Sequence, residues 1–209
     1  MTKISTKRVA MTLLATLSVA ASLSGCIPLL VGGAAVGSAF VVTDRRTSGT
    51  QLDDEGIELR ANSALRESTA EPAHVSVTSY NRRVLLTGEV PTAQDKQLVE
   101  QLVSRVGNVG SVVNELEVRW NASLTERSSD ALITGKVKAS FVDARDLYAN
   151  AFKVVTVRGT VYLMGRVTQR EADRATEITR GVSGVQRVVR ILEIVSEQDL
   201  QQAVPQPSK

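Results

Sequence analysis

The sequence predicts an α+β protein made of two tandem copies of one α-β-β-α-β unit, each a small three-stranded sheet covered on one face by two helices. Three observations carry this. The stretch VSVTSYNRRVLLTGEV at 75–90 aligns without a gap on FKVVTVRGTVYLMGRV at 152–167, so that Val84, Leu86, Gly88 and Val90 meet Val161, Leu163, Gly165 and Val167. Further on, VGNVGSVVNELEV at 106–118 matches VSGVQRVVRILEI at 182–194. Within each copy the apolar spacing changes between the helical period near 3.6 and the strand period of 2.

The elements follow in order. A first helix places Ile57, Ala61 and Leu65 on one face in the first copy and Ile133, Val137 and Phe141 in the second. Two alternating strands then form a hairpin, turning at Asn81-Arg82 and at Arg158-Gly159, where residues tolerating positive φ are needed. A second helix starts near Thr92 and Thr168, with Leu98, Leu102 and Val106, or Ala172, Ala175, Ile178 and Val182, facing inward. A third strand closes each unit. The copies occupy 50–119 and 128–195, joined by a linker at 120–127 and followed by a frayed tail at 196–209.

The V-x-L-x-G-x-V strand, the helix after it and the valine-rich run into the last strand resemble the BON domain, a periplasmic and lipid-associated module. Arg82 departs from the pattern, because it stands in a turn that family members often fill with glycine; Asn81 tolerates the left-handed conformation, so the departure touches the turn type and not the fold.

The N-terminus has the layout of a secretory signal peptide. Lys3, Lys7 and Arg8 precede a fifteen-residue apolar and small-residue run from Val9 to Leu23, too short for a comfortable membrane span. Its end, Leu23-Ser24-Gly25-Cys26, resembles the bacterial lipobox, and Cys26 is the sole cysteine of the chain. The resemblance implies cleavage after residue 25 and a Cys26 carrying a diacylglycerol on sulfur and an acyl chain on nitrogen, with no other cofactor. Each buried methylene contributes about 0.8 kcal/mol, so three acyl chains anchor durably. Ile27 stands where inner-membrane retention usually needs Asp, and by that sorting rule the destination is the outer membrane, facing the periplasm. Residues 26–49 then form the lipidated cysteine, an apolar tether weakened as a helix by Pro28, Gly32, Gly33 and Gly37, and a polar linker. A second short membrane segment is the alternative reading of the tether.

Catalytic constellations are not legible. His74, the single histidine, stands at the start of a strand without a nucleophile or metal-binding partner in the pattern. The glycines form no phosphate-cradling run. The acidic cluster Asp53, Asp54 and Glu55 at a helix start is explained by capping and the helix dipole. The expectation is a protein that is not an enzyme and holds no metal.

The two copies differ in charge. Residues 50–119 carry seven Lys plus Arg against eleven Asp plus Glu, a net of −4, and residues 126–195 carry twelve against eight, a net of +4. They are expected to pack on each other through these opposite charges. In the second copy the helix from about Ser129 to Val142 should turn Ala131, Leu132, Gly135, Ala139 and Val142 outward, flanked by Lys136 and Lys138. Apolar surface edged by ammonium groups suits the headgroup boundary of an anionic phospholipid membrane. The matching outward positions of the first copy are Glu55, Gly56, Leu59, Ser63 and Arg66, and with Glu58 adding negative charge that surface should be repelled by such a membrane. The candidate phospholipid-binding residues are therefore Leu132, Gly135, Lys136, Lys138, Ala139 and Val142. A packing contact with the other copy or a second chain is the alternative for Leu132 and Val142.

Basic charge also raises nucleic acid, but only 3% of residues are aromatic and the expected compartment holds little of it. The functional expectation is an outer-membrane lipoprotein that reads anionic phospholipid and, as the family resemblance implies, supports envelope integrity, with enrichment where anionic lipid concentrates, such as the division site. The alternative is a non-enzymatic adaptor for envelope-assembly proteins or for regulators of cell-wall hydrolases, using the same apolar patch.

Overall fold

The computed structural model describes residues 44–68 and 74–203, without the side chains of 201–203. Cys26, the signal peptide and the tether lie outside the described residues.

In the first repeat Thr47 caps α1 (Ser48–Glu67), its hydroxyl accepting from the Thr50 N–H at 3.1 Å. Strands β1 (His74–Tyr80) and β2 (Arg83–Val90) form an antiparallel hairpin. The crossover helix α2 (Ala93–Ser104) returns the chain so that β3 (Ser111–Asn114) and β4 (Glu117–Val118) pair parallel to β2. The second repeat has α3 (Leu124–Asp143), a 3-10 turn at Ala149–Ala151, β5 (Phe152–Val157), β6 (Thr160–Val167), α4 (Gln169–Gly181) and β7 (Arg187–Ile194), with β6 central. A short helix, α5 (Glu197–Ala203), follows, so the stretch expected to be frayed from 196 is helical at its start.

Both hairpins turn where the sequence places them. Asn81 and Arg82 have φ of 50° and 63°, Arg158 and Gly159 of 48° and 70°, the double positive φ of a turn that matches strand twist. Gly88 and Gly165 are required for another reason: a Cβ would stand 1.7 Å from the His74 carbonyl oxygen in one case and 2.4 Å from that of Ala151 in the other. The shared glycine of the repeat thus marks a close backbone approach.

The helix-side cores match the periodicity at most positions. Ile57, Ala61, Val77, Val84, Leu86, Val90, Val99, Val103 and Leu116 form one, and Ile133, Val137, Phe141, Val154, Val161, Leu163, Val167, Ala172 and Ala175 lie in the other. Leu98 corrects the reading of α2. It is 40% exposed, and Val99 and Val103 face the sheet instead, with Leu102 and Val106 half-buried. Thr92 sets this phase by capping onto the Asp95 N–H, and Leu98 falls one residue, about 100°, off the buried stripe. The long first helices also begin earlier than expected, at Ser48 and Leu124, because Thr47 and Ser123 cap them; Leu124 to Arg127 are therefore helix and not linker. The third strand of the first repeat breaks at Glu115-Leu116, with Leu116 turned into the core, whereas β7 runs unbroken.

The largest departure concerns the other face of each sheet. Tyr80 and Leu85 pack with Tyr162, Met164 and Ile191, flanked by half-buried Val113, Val155, Val157 and Val189. Each sheet is thus covered on both faces, by its own helices and by the other sheet. The charges expected to join the repeats frame this apolar seam rather than form it: Lys153 Nζ meets Glu58 at 2.7 Å, Arg158 Nε meets Glu89 at 3.0 Å and Arg187 meets Glu115 at 3.3 Å. Glu58, counted as part of the negative charge of α1, also accepts from the Ser79 N–H at 2.8 Å and so faces the seam.

Two consecutive arginines strap the seam from the N-terminal side. Arg45 grips Glu171 through both guanidinium nitrogens at 2.7 Å and lies over the Tyr148 ring. Arg46 donates to Asp54 at 2.8 Å and lies 4.2 Å from the Tyr80 ring centroid. One arginine holds the second repeat and its neighbour holds the first.

Candidate functional site

The candidate surface lies on α3. Ser123 and Glu126 close its N-terminus in a reciprocal capping box, which satisfies two backbone donors and fixes the helix start. From there the 3.6-residue period buries Asp130, Ile133, Val137 and Phe141. The same rotation leaves Leu132 67% and Val142 72% exposed, with Ala131, Gly135, Lys136, Lys138 and Ala139 exposed as well. Leu132 and Val142 are therefore not covered by the first repeat.

Charge pairing separates this face from the rest of the basic repeat. Arg174 pairs with Asp146 and Glu177, Arg187 with Glu115, Arg190 with Asp173, and Arg170 reaches Glu197 at 3.9 Å. Among the described residues of the second repeat Arg127, Lys136, Lys138, Arg145 and Arg180 have no acidic partner; the first four lie on α3 or just beyond it, and Arg180 lies in the last turn of α4. Four of the five unpaired cations of the second repeat thus belong to the segment that carries exposed Leu132 and Val142. One exposed acid, Asp143, ends the helix.

The acidic cluster at 53–55 has a different task from the one expected. Asp54 lies in the second turn of α1 and is buried; its carboxylate accepts from the backbone of Asn81 and Arg82 at 2.8 Å, from Ser79 Oγ at 2.7 Å and from Arg46. Burial alone raises its pKa, but the hydrogen bonds from Ser79, Arg82, Arg46 and Asn81 prevail and hold the carboxyl below its ordinary value. It braces a hairpin rather than capping a helix. His74 is exposed at the first position of β1.

Comparison with known proteins decides the family. The BON domain profile matches residues 53–119 and 129–196. The chain is 40% identical over 172 residues to the Outer membrane lipoprotein DolP of Haemophilus influenzae, covering 81% of this chain and 88% of that one. This chain belongs to the BON family as a dual-BON lipoprotein of the DolP type. A 21 kDa hemolysin of Actinobacillus pleuropneumoniae is 32% identical over 73% of this chain and 79% of its own. Among solved structures, the type III secretion structural protein CdsD of Chlamydia trachomatis covers 71% of this chain and 98% of its own at 13% identity and a TM-score of 0.29.

In this dual-BON lipoprotein, sequence reasoning missed two residues of the candidate surface. Trp120 is 93% exposed and Leu124 81%, immediately before and at the start of α3. The signal was available: Trp120 is the one tryptophan of the chain, sitting in a stretch read only as linker. Tryptophan has an apolar body with a polar N–H and suits a membrane interface. Apolar exposure is not confined to the second BON domain, since Leu52 and Leu59 on α1 are 69% and 71% exposed, among Asp53 and Glu55. The two first helices differ in charge more than in hydropathy. No helix among the described residues is long and apolar enough to cross a membrane.

Proposed function

We propose that this lipoprotein is anchored through Cys26 in the outer membrane, facing the periplasm, and that its second BON domain docks on anionic phospholipid through α3, without turning a substrate over. The observation that carries the reading is the coincidence of exposed Leu132, Val142, Leu124 and Trp120 with the unpaired cations Arg127, Lys136, Lys138 and Arg145. Apolar side chains enter the headgroup boundary while cations meet lipid phosphates, each worth about 1 kcal/mol near an anionic surface. Similarity to an outer membrane lipoprotein over most of both chains supports the location.

Co-sedimentation of residues 44–209 with vesicles of zwitterionic lipid, alone or with an anionic phospholipid, tests it at low and moderate salt. Binding that needs the anionic lipid and falls with salt is expected. Absence of binding to every vesicle removes α3 as a lipid surface.

A second reading, an adaptor for envelope proteins, is favoured by α1. Leu52 and Leu59 lie exposed on an acidic helix that an anionic membrane repels, which suits a protein contact. A stoichiometric partner lost on Leu59→Glu, but not on Leu132→Glu, supports it.

A further inference from the structure

Arg158 sits at the first position of the β5–β6 turn, and its side chain is only 16% exposed. Its backbone N–H and that of Gly159 donate to Asp130 on α3 at 2.7 and 2.9 Å, which fixes the turn against the helix. The guanidinium then divides its donors three ways. Nε meets Glu89 of the first repeat at 3.0 Å, one terminal nitrogen meets Glu126 of α3 at 2.8 Å, and the other donates to the Trp120 carbonyl at 3.0 Å. Glu89 is 3% exposed on its side chain, so this pair is far less screened than a surface bridge. Glu126 is also the acid of the α3 capping box.

We propose that Arg158 is a positioning residue through which the first BON domain sets the placement of Trp120 and the first turn of α3 on the docking surface. The planar fork of arginine suits this, since it reaches three acceptors in different directions where lysine serves one. With Glu89 in place the guanidinium is fixed to the first repeat, and the Trp120 carbonyl is fixed with it. The bond fixes the Trp120 backbone, so the ring, left 93% exposed, swings from a held point of the chain instead of wobbling with a free linker. A pre-ordered anchor loses less entropy on docking. The consequence for docking rests on the lipid reading above; the geometry of the hub does not.

The sequence provides its own probe, because Trp120 is the only tryptophan. Arg158→Asn leaves an Asn-Gly pair, the preferred sequence for this turn, so the hairpin keeps its chemistry while the guanidinium is removed. The double variant with Glu89→Gln neutralises the buried carboxylate that loses its partner, and Arg187→Gln, at another rim pair, is the control. Full-length lipidated protein in purely zwitterionic vesicles is read by time-resolved Trp120 anisotropy, and in vesicles containing anionic and brominated phospholipid by Trp120 quenching. We expect a larger wobble amplitude for both Arg158 variants than for wild type or the control, and a quenching-derived docked fraction lower by about threefold, the scale of freeing one ordered side chain. Unchanged wobble in a folded Arg158→Asn or double variant overturns the proposal. Wild-type Trp120 that is never quenched defeats the lipid reading alone, and the wobble comparison still decides the role of Arg158.

Discussion

Asp54 and Asp130 hold the same pair of hydrogen bonds in the two repeats: each carboxylate, buried on a first helix, accepts both backbone N–H groups of its own hairpin turn. A helix is thereby tied to the one loop of its sheet that needs positive φ. Removing the acceptor leaves two donors without partners. Asp130→Ala should cost about 3 kcal/mol in urea unfolding, as expected for two hydrogen bonds to a charged group. Asp54→Ala should cost at least as much, because Ser79 and Arg46 are released as well.

Acid should weaken the fold through Asp54 and Glu171. At Glu171 burial again pushes the pKa up, but Arg45 and Thr168 outweigh it and hold the carboxyl below its ordinary value. Groups with depressed folded pKa values contribute fully above their unfolded values, 3.8 and 4.5, and lose that contribution as pH falls through the lower folded values. Urea midpoints should be flat from about pH 7 to 5 and fall below that. Glu171→Gln should lower the midpoint at pH 7 and flatten its decline in acid.

The strand glycines should tolerate no side chain. Gly165→Ala directs a methyl at the Ala151 carbonyl and Gly88→Ala at that of His74, the latter with φ of 114° as added strain. Each should lower stability by roughly 2 kcal/mol or more, with Gly88→Ala the worse, by thermal or urea unfolding.

Docking and stability should separate on α3. Leu132→Glu should leave the unfolding midpoint within about 0.5 kcal/mol of wild type, since the side chain is mostly in water. It should nonetheless reduce binding to anionic vesicles. Replacing Lys136 and Lys138 together by Gln should weaken that binding by about tenfold or more at low salt, at about 1 kcal/mol per cation.

The repeat, the turns and the helix phase of Ile133, Val137 and Phe141 were legible because each follows from local spacing. Leu98 was misread because one residue of phase depends on where the cap stands, and Thr92 fixed that only with Asp95. The double-sided burial of the sheets was harder to see. Tyr80, Leu85, Tyr162 and Met164 alternate with core residues and belong to a second layer that no local pattern names. Positions such as Thr87 and Glu89 keep the strands from reading as wholly apolar. The charge difference between the repeats was readable as a sum, but which cations are neutralised depends on distances, and these leave Lys136 and Lys138 free while Arg174 and Arg190 are paired. Trp120 lies in a stretch that reads only as linker, and its carbonyl bond to Arg158 is non-local.

The strap of Arg45 and Arg46 bears on what happens when a lipoprotein is tugged by its own anchor. Tension arriving along the chain at Asp44 meets neighbouring residues fastened to different repeats, one on Glu171 and one on Asp54. The load is shared across the seam before it reaches α1, so the first helix is not peeled from its sheet turn by turn. A pull from the N-terminal side would therefore bear on side chains of both domains before it bears on α1 alone.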